Sequence, residues 1–361
     1  MKGPAVVGRA QAVLITGGSG FIGANLAESF LAEGRDVLVL DNLSRPGVGE
    51  NLDELRAAHG QNLHAAVADI RDAGAVAAAV RDSSAVFHLA AQTAVTTSLA
   101  DPVDDFEVNA RGALNVLEAV RAARRRVPVI FASTNKVYGG LEDLRMDERP
   151  TRYEPADAEI AARGVGEGRP LDFCTPYGCS KGVADQYVLD YAKSYGLPTA
   201  VLRMSCIYGP RQFGTEDQGW VAHFLLRALK GEPISIYGDG KQVRDILHVR
   251  DAVSAYRGLL DRIEAVKGQA FNLGGGPRNA VSLIEVLDAI ASVTGRQVRT
   301  EFGPWRTGDQ LYFVADTAKL EHAMGWRAGV GWREGLADLA RWLEAHRLDR
   351  RPPAMPQRVV A

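Results

Sequence analysis

Cysteine is scarce in this chain: Cys174, Cys179 and Cys206 are the only three among 361 residues. An odd count without closely spaced pairs argues against a disulfide framework and for free thiols in a reducing compartment. The seven histidines make no H-x-x-x-H pattern and no C-x-x-C occurs, so no metal site is expected. No apolar run approaches the roughly 18 residues of a membrane span. The first ten residues lack the apolar stretch of a signal peptide, and a cytoplasmic location is the expectation. Excess charge is also missing. The net charge is -2, so nothing attracts nucleic acid or an anionic membrane in bulk. The one basic run, Arg121 to Arg126, reads as a helix end, where cations suit the macrodipole.

What is present is ordinary for a globular chain, with 46% hydrophobic and 24% charged residues. Short apolar runs at Ala12–Thr16, Asp36–Asp41, Ala65–Asp69, Ala85–Leu89 and Val127–Ala132 read as buried strands. Helix-length segments lie between them, notably Phe21–Glu33, Ala73–Arg81 and Pro102–Ala123. This alternation predicts an α/β fold, a Rossmann-type doubly wound parallel sheet, with a smaller C-terminal substrate-binding lobe. The expected division is a tail over 1–11, a dinucleotide-binding domain over 12–211 with a loop over 139–175, the smaller lobe mainly over 212–347, and a tail over 348–361.

The first strand runs into Thr16-Gly-Gly-Ser-Gly-Phe-Ile-Gly23. Gly17, Gly20 and Gly23 suit a tight turn whose backbone nearly touches a pyrophosphate at a helix N-terminus; Phe21 and Ile22 belong to the same turn. A strand before the turn and an amphipathic helix after it are the context a bare glycine pattern lacks. Asp41 ends the second strand eighteen residues after Gly23. An acid there accepts from the adenosine ribose and repels a 2′-phosphate, so NAD is favoured over NADP. Asn42 follows it. Asp69 and Ile70 close the third strand, where a side chain could meet the adenine. Leu89, Ala90, Ala91 and Gln92 close the fourth, where small residues permit close backbone approach. Asn109 reads as a polar residue in a buried helix, braced against the active-site strand. Each of these also has a plain core reading.

In Thr175-Pro-Tyr-Gly-Cys-Ser-Lys-Gly182, Tyr177 and Lys181 stand four apart, one above the other on a helix that Pro176 suits as a start. A phenol loses its proton near about pH 10. A fixed ammonium one turn away is expected to lower that value and make Tyr177 a general acid/base. The fifth strand leads to Thr134, whose hydroxyl would share the same substrate oxygen.

Together with Val137-Tyr-Gly139, Val243-Arg-Asp245 and Arg306-Thr-Gly-Asp309, these residues resemble the extended short-chain dehydrogenase/reductase family of nucleotide-sugar epimerases and dehydratases, from about Val13 to Trp342. The resemblance implies bound NAD, a nucleotide-diphosphate-sugar substrate, and Thr134, Tyr177 and Lys181 as the catalytic set. Tyr177 and Lys181 then also touch the cofactor. Dehydratases of the family carry an Asp-Glu pair directly after the threonine; this chain has Asn135-Lys136, which cannot perform that elimination. The stretches Ser133–Gly139, Thr175–Gly182 and Arg211–Trp220 are most similar to the branch that inverts carbon 2 of CDP-3,6-dideoxyhexoses. GDP-glucose/GDP-mannose 2-epimerization and UDP-hexose 4-epimerization are the alternatives, and a non-catalytic NAD-binding regulator is the rival of another class. Family positions match Thr134, Asn135, Lys136, Cys206, Gln218, Arg244, Arg306 and Asp309 to the substrate, the two arginines to its diphosphate. Helices Pro102–Ala123 and Tyr177–Tyr195 commonly pair between subunits in the family, giving a homodimer or a homotetramer.

Overall fold

The computed structural model describes residues 12–348. The expected tails, 1–11 and all of 348–361 but its first residue, lie outside the described residues. Seven parallel strands form the large sheet: β1 (Ala12–Thr16), β2 (Val37–Asp41), β3 (Leu63–Val67), β4 (Ser83–His88), β5 (Val129–Thr134), β6 (Thr199–Met204) and β7 (Gln269–Leu273). Their order is β7-β6-β5-β4-β1-β2-β3. All six residues of β5 are buried, as a strand covered on both faces requires, which is why it reads as a nearly continuous apolar run. Cores fill both faces: Val13, Ile15, Phe30 and Phe87 on one, Leu14, Leu40, Val86 and Val116 on the other.

The chain order reverses between β1 and β4, and the crevice outside their carboxyl ends is where such sheets take ligands. The loops after β1, β2, β4 and β5 therefore converge on one place. The helix Thr175–Tyr195 runs alongside β5 and β6 and stops at Gly196, whose φ of 69° is the left-handed cap glycine accepts without strain.

Several elements differ from the sequence reading. Helices at Val48–His59 and Trp220–Lys230 were not expected. The helix over Pro102–Ala123 is interrupted by a π turn at Glu107–Arg111. The segment 139–175 is not a bare loop. It carries a hairpin (Met146–Glu148 with Tyr153–Pro155) and a short helix, Ala158–Arg163, capped by Asp157. It is tied to the smaller lobe by the Arg152–Glu285 ion pair and by the Tyr153 hydroxyl, which donates to Asp239 at 2.6 Å.

The boundary expected at residue 212 is crossed repeatedly. Val249–Asp261 packs on Phe21–Leu31 beneath the large sheet, and β7 is that sheet's edge. The smaller lobe has its own core, centred on Leu225, Ile236, Ile246, Val286 and Leu336. Ser282 and Glu285 form a reciprocal cap on the helix Leu283–Thr294.

Candidate active site

The glycine turn is shaped by close backbone contact. A Cβ on Gly17, whose φ is +69°, would lie 2.7 Å from the Ala90 nitrogen; one on Gly23 would lie 2.2 Å from the Gly17 carbonyl oxygen. Leu89 and Ala90 thus run against the turn. The Ala90 amide donates to the Thr16 hydroxyl at 3.3 Å. Phe21 and Ile22 pack on the core behind. Asp41 Oδ2 accepts from the Ser19 amide at 3.0 Å and Oδ1 from the Leu43 amide at 2.9 Å. Burial nonetheless pushes its carboxyl above the usual range. Beyond it, Asn42 donates to Asp69 at 3.0 Å, and Arg71 holds Asp69 through two bonds of 2.8 Å, well below the ordinary carboxylate pKa. Ile70 is buried against Gly112. A glycine cradle with an acid at the tip of the second strand fits a dinucleotide with a free ribose 2′-hydroxyl.

Asn109 falls in the π turn, a distortion that aims side chains at functional sites. It receives the Gln92 amide at 2.9 Å and donates to the Gln92 carbonyl, Asp105 and Ser180. Ser180 in turn donates to Asp105. This network fixes the loop after β4 to the helix that carries Tyr177 and Lys181. Its Asp105 and Ser180 members escaped the sequence reading, which looked at Asn109 alone.

Thr134 ends β5, and the turn after it packs on the start of the helix that carries Tyr177, the Lys136 carbonyl lying against Gly178. The expected lowering by Lys181 is corrected here. Tyr177 keeps some surface open, yet the protein around it pushes the phenol up to about 12, and nearby Asp105 adds to that. The Lys181 ammonium is itself buried, lying 4.2 Å from the centre of the Phe131 ring, and burial lowers it to about 7. A half-neutralised amine exerts little field on the phenol, so desolvation wins. His88, below it, is held neutral by burial and bonds Thr16 at 2.7 Å.

The substrate candidates fall into two groups. Lys136, Cys206, Arg244 and Asp309 interact with one another beside Thr134. Arg244 and Asp309, both expected at the ligand, are paired with each other at 2.5 Å. The Cys206 thiol is raised by burial. Arg306 stands apart from this group, stacked 3.8 Å from the Tyr237 ring centre and bonded to the Glu216 carbonyl; Gln218 lies in the adjoining turn, its amide on Thr215. Underneath, the buried Arg203–Asp185 pair, with bonds of 2.9 and 3.0 Å, takes further bonds from Ser133 to Asp185 and from Arg203 to Tyr138. Tyr138 reaches Asn272 on β7 at 2.7 Å.

Comparison with known proteins agrees with this geometry. The sequence model of the NAD dependent epimerase/dehydratase family matches residues 13–274. The chain is 43% identical to the CDP-paratose 2-epimerase of Salmonella typhi over 337 residues, covering 91% of this chain and 98% of that protein. It is 33% identical to the UDP-glucose 4-epimerase of Mycolicibacterium smegmatis over 325 residues, 90% of this chain and 96% of that one. The crystal structure of the Thermus thermophilus UDP-glucose 4-epimerase in complex with NAD superposes with a TM-score of 0.78 at 34% identity, covering 93% and 99% of the two chains.

Proposed function

This chain belongs to the NAD-dependent epimerase/dehydratase family, and from that premise we propose that it inverts carbon 2 of a CDP-3,6-dideoxyhexose, interconverting CDP-paratose and CDP-tyvelose. The observation that carries the reaction type is the packing of the turn after Thr134 on the start of the helix that carries Tyr177, the Lys136 carbonyl lying against Gly178, with Asn135 and Lys136 where a dehydrating carboxyl pair would have to stand. The base and sugar follow the Salmonella relative.

Bound NAD supplies the acceptor and returning donor for the hydride on the sugar carbon, chemistry no side chain offers. Gly17, Gly20 and Gly23 admit its diphosphate and Asp41 its ribose. Tyr177 takes the proton of the sugar hydroxyl and returns it when the carbonyl is reduced on its other face. Burial holds the phenol proton on, and the neighbouring Thr134 opposes that. Asn109 and Ser180 keep that helix in register with the loop after β4.

The test is product identification by NMR after incubating the protein with CDP-, GDP- and UDP-sugars. CDP-paratose deuterated at carbon 2 should yield CDP-tyvelose with the label still at carbon 2. Tyr177→Phe should retain NAD while kcat falls by roughly 10²–10⁴; near-normal turnover would remove Tyr177 from the mechanism. The second reading, UDP-hexose 4-epimerization, is favoured by the likeness to the two 4-epimerases and predicts inversion of UDP-glucose instead.

We also propose that the protein is a homodimer, or a homotetramer built on it. Val103 and Phe106, with Tyr187 and Tyr195 of the long helix, expose apolar surface on the segments expected to pair. Light scattering on the purified protein reads the subunit number.

A further inference from the structure

Lys136 is an unusual cation. It lies two residues beyond Thr134, whose hydroxyl accepts the Lys136 amide at 3.2 Å. Its carbonyl packs against Gly178, next to Tyr177. Its side chain reaches across the crevice to donate to the Gly308 carbonyl at 2.9 Å, between Arg306 and Asp309 of the smaller lobe. An ammonium has three N–H groups, and Gly308 takes one. Lys136 is half-buried with a second cation, Arg244, nearby; Asp309, next to Gly308 in the chain, is already paired with that arginine. Two cations against one anion leave a net positive charge beside the catalytic hydroxyl and phenol, which calls for an anion.

A nucleotide sugar has one anionic part, its diphosphate, joined at carbon 1. A hydroxyl at carbon 2 is the diphosphate's immediate neighbour; one at carbon 4 lies across the ring. We propose that Lys136 holds the sugar-proximal phosphate beside Thr134 and so brings carbon 2, rather than carbon 4, to Tyr177. Lys136 is a positioning residue in this scheme, and the inference rests on the nucleotide-sugar epimerase reading above. Burial, with the Arg244 cation nearby, lowers its amine to about 8.

Titration of CDP and CMP into the NAD-loaded protein by calorimetry tests the contact. Lys136→Met should weaken CDP by about tenfold or more, the loss of one charge-assisted hydrogen bond, while CMP affinity stays within about twofold. Lys136→Arg should recover most of the CDP affinity. With CDP-paratose, Lys136→Met should raise KM at least as much as CDP binding weakens and also lower kcat, because the sugar is no longer held in register. Equal weakening of CDP and CMP, or no change in either, overturns the proposal. So does failure of Lys136→Arg to recover CDP binding when its melting temperature matches the parent's. Inversion of UDP-glucose at carbon 4 by the parent would sink the proposed function itself; the phosphate contact is then read from UDP against UMP, and the selection of carbon 2 falls.

Discussion

Removing Asp185 should unfold this protein far more readily than removing an average side chain. Asp185 is fully buried on the helix Thr175–Tyr195, one turn past Lys181; Arg203, 5% exposed, lies on β6. The carboxylate takes both guanidinium bonds and a third from Ser133 at 2.8 Å, so Asp185→Ala strands a buried cation and a buried hydroxyl together. Deleting one partner of such a pair costs about 3–5 kcal/mol, a large share of the roughly 5–15 kcal/mol that holds a domain folded. Urea unfolding followed by far-UV circular dichroism measures it. The double variant Asp185→Leu/Arg203→Met removes both charges and should return to within about 2 kcal/mol of the parent, because an apolar pair of similar volume avoids the stranded charge. A loss under about 1 kcal/mol for Asp185→Ala, or a double variant as unstable as the single one, refutes the reasoning. Ser133 precedes Thr134, so the single variant should also lose activity at temperatures where it remains folded.

Two further outcomes follow from the same structure. Asp41→Ala should weaken NAD by about 10–100-fold, since the ribose and the Ser19 amide both lose their acceptor; unchanged NAD affinity in a dialysis assay, or a parent that prefers NADP, contradicts the assignment. Lys181 has a folded pKa near 7, below that of the unfolded chain, so its burial opposes folding fully below pH 7 and the opposition fades as pH rises toward about 10.4. Lys181→Met should therefore be more stable than the parent at pH 6.5, roughly, with the gap closing by about pH 10; a gap that does not change with pH in denaturant titrations would show that the ammonium is not desolvated as described.

Most of the large sheet was legible because its inner strands are buried on both faces and so read as apolar runs; the edge strand β3 is buried mainly at Leu63. The glycine turn and Asp41 were equally plain, since local chemistry alone dictates them. Val48–His59 was missed although Val48, Asn51, Leu52 and Leu55 keep helical spacing to the core; the charged residues between them mask the stripe. In Trp220–Lys230 the bounding glycines, Gly219 and Gly231, were the overlooked signal. Pairings such as Arg244 with Asp309 join positions 65 apart and have no local trace. The Tyr177 reading went astray for the same reason: spacing reveals a neighbouring lysine, but only packing reveals how dry both groups are.

The return of β7 to the large sheet has a practical bearing on anyone building chimeras of this enzyme. A graft that exchanges everything after residue 212 for a relative's lobe, in order to change the sugar accepted, also exchanges the outermost strand beside β6 and the helix Val249–Asp261 under Phe21–Leu31. The foreign pieces would have to match an interior they did not evolve with. Transplants confined to 214–240 and 275–312, which leave 243–273 native, respect the stitching of the two halves.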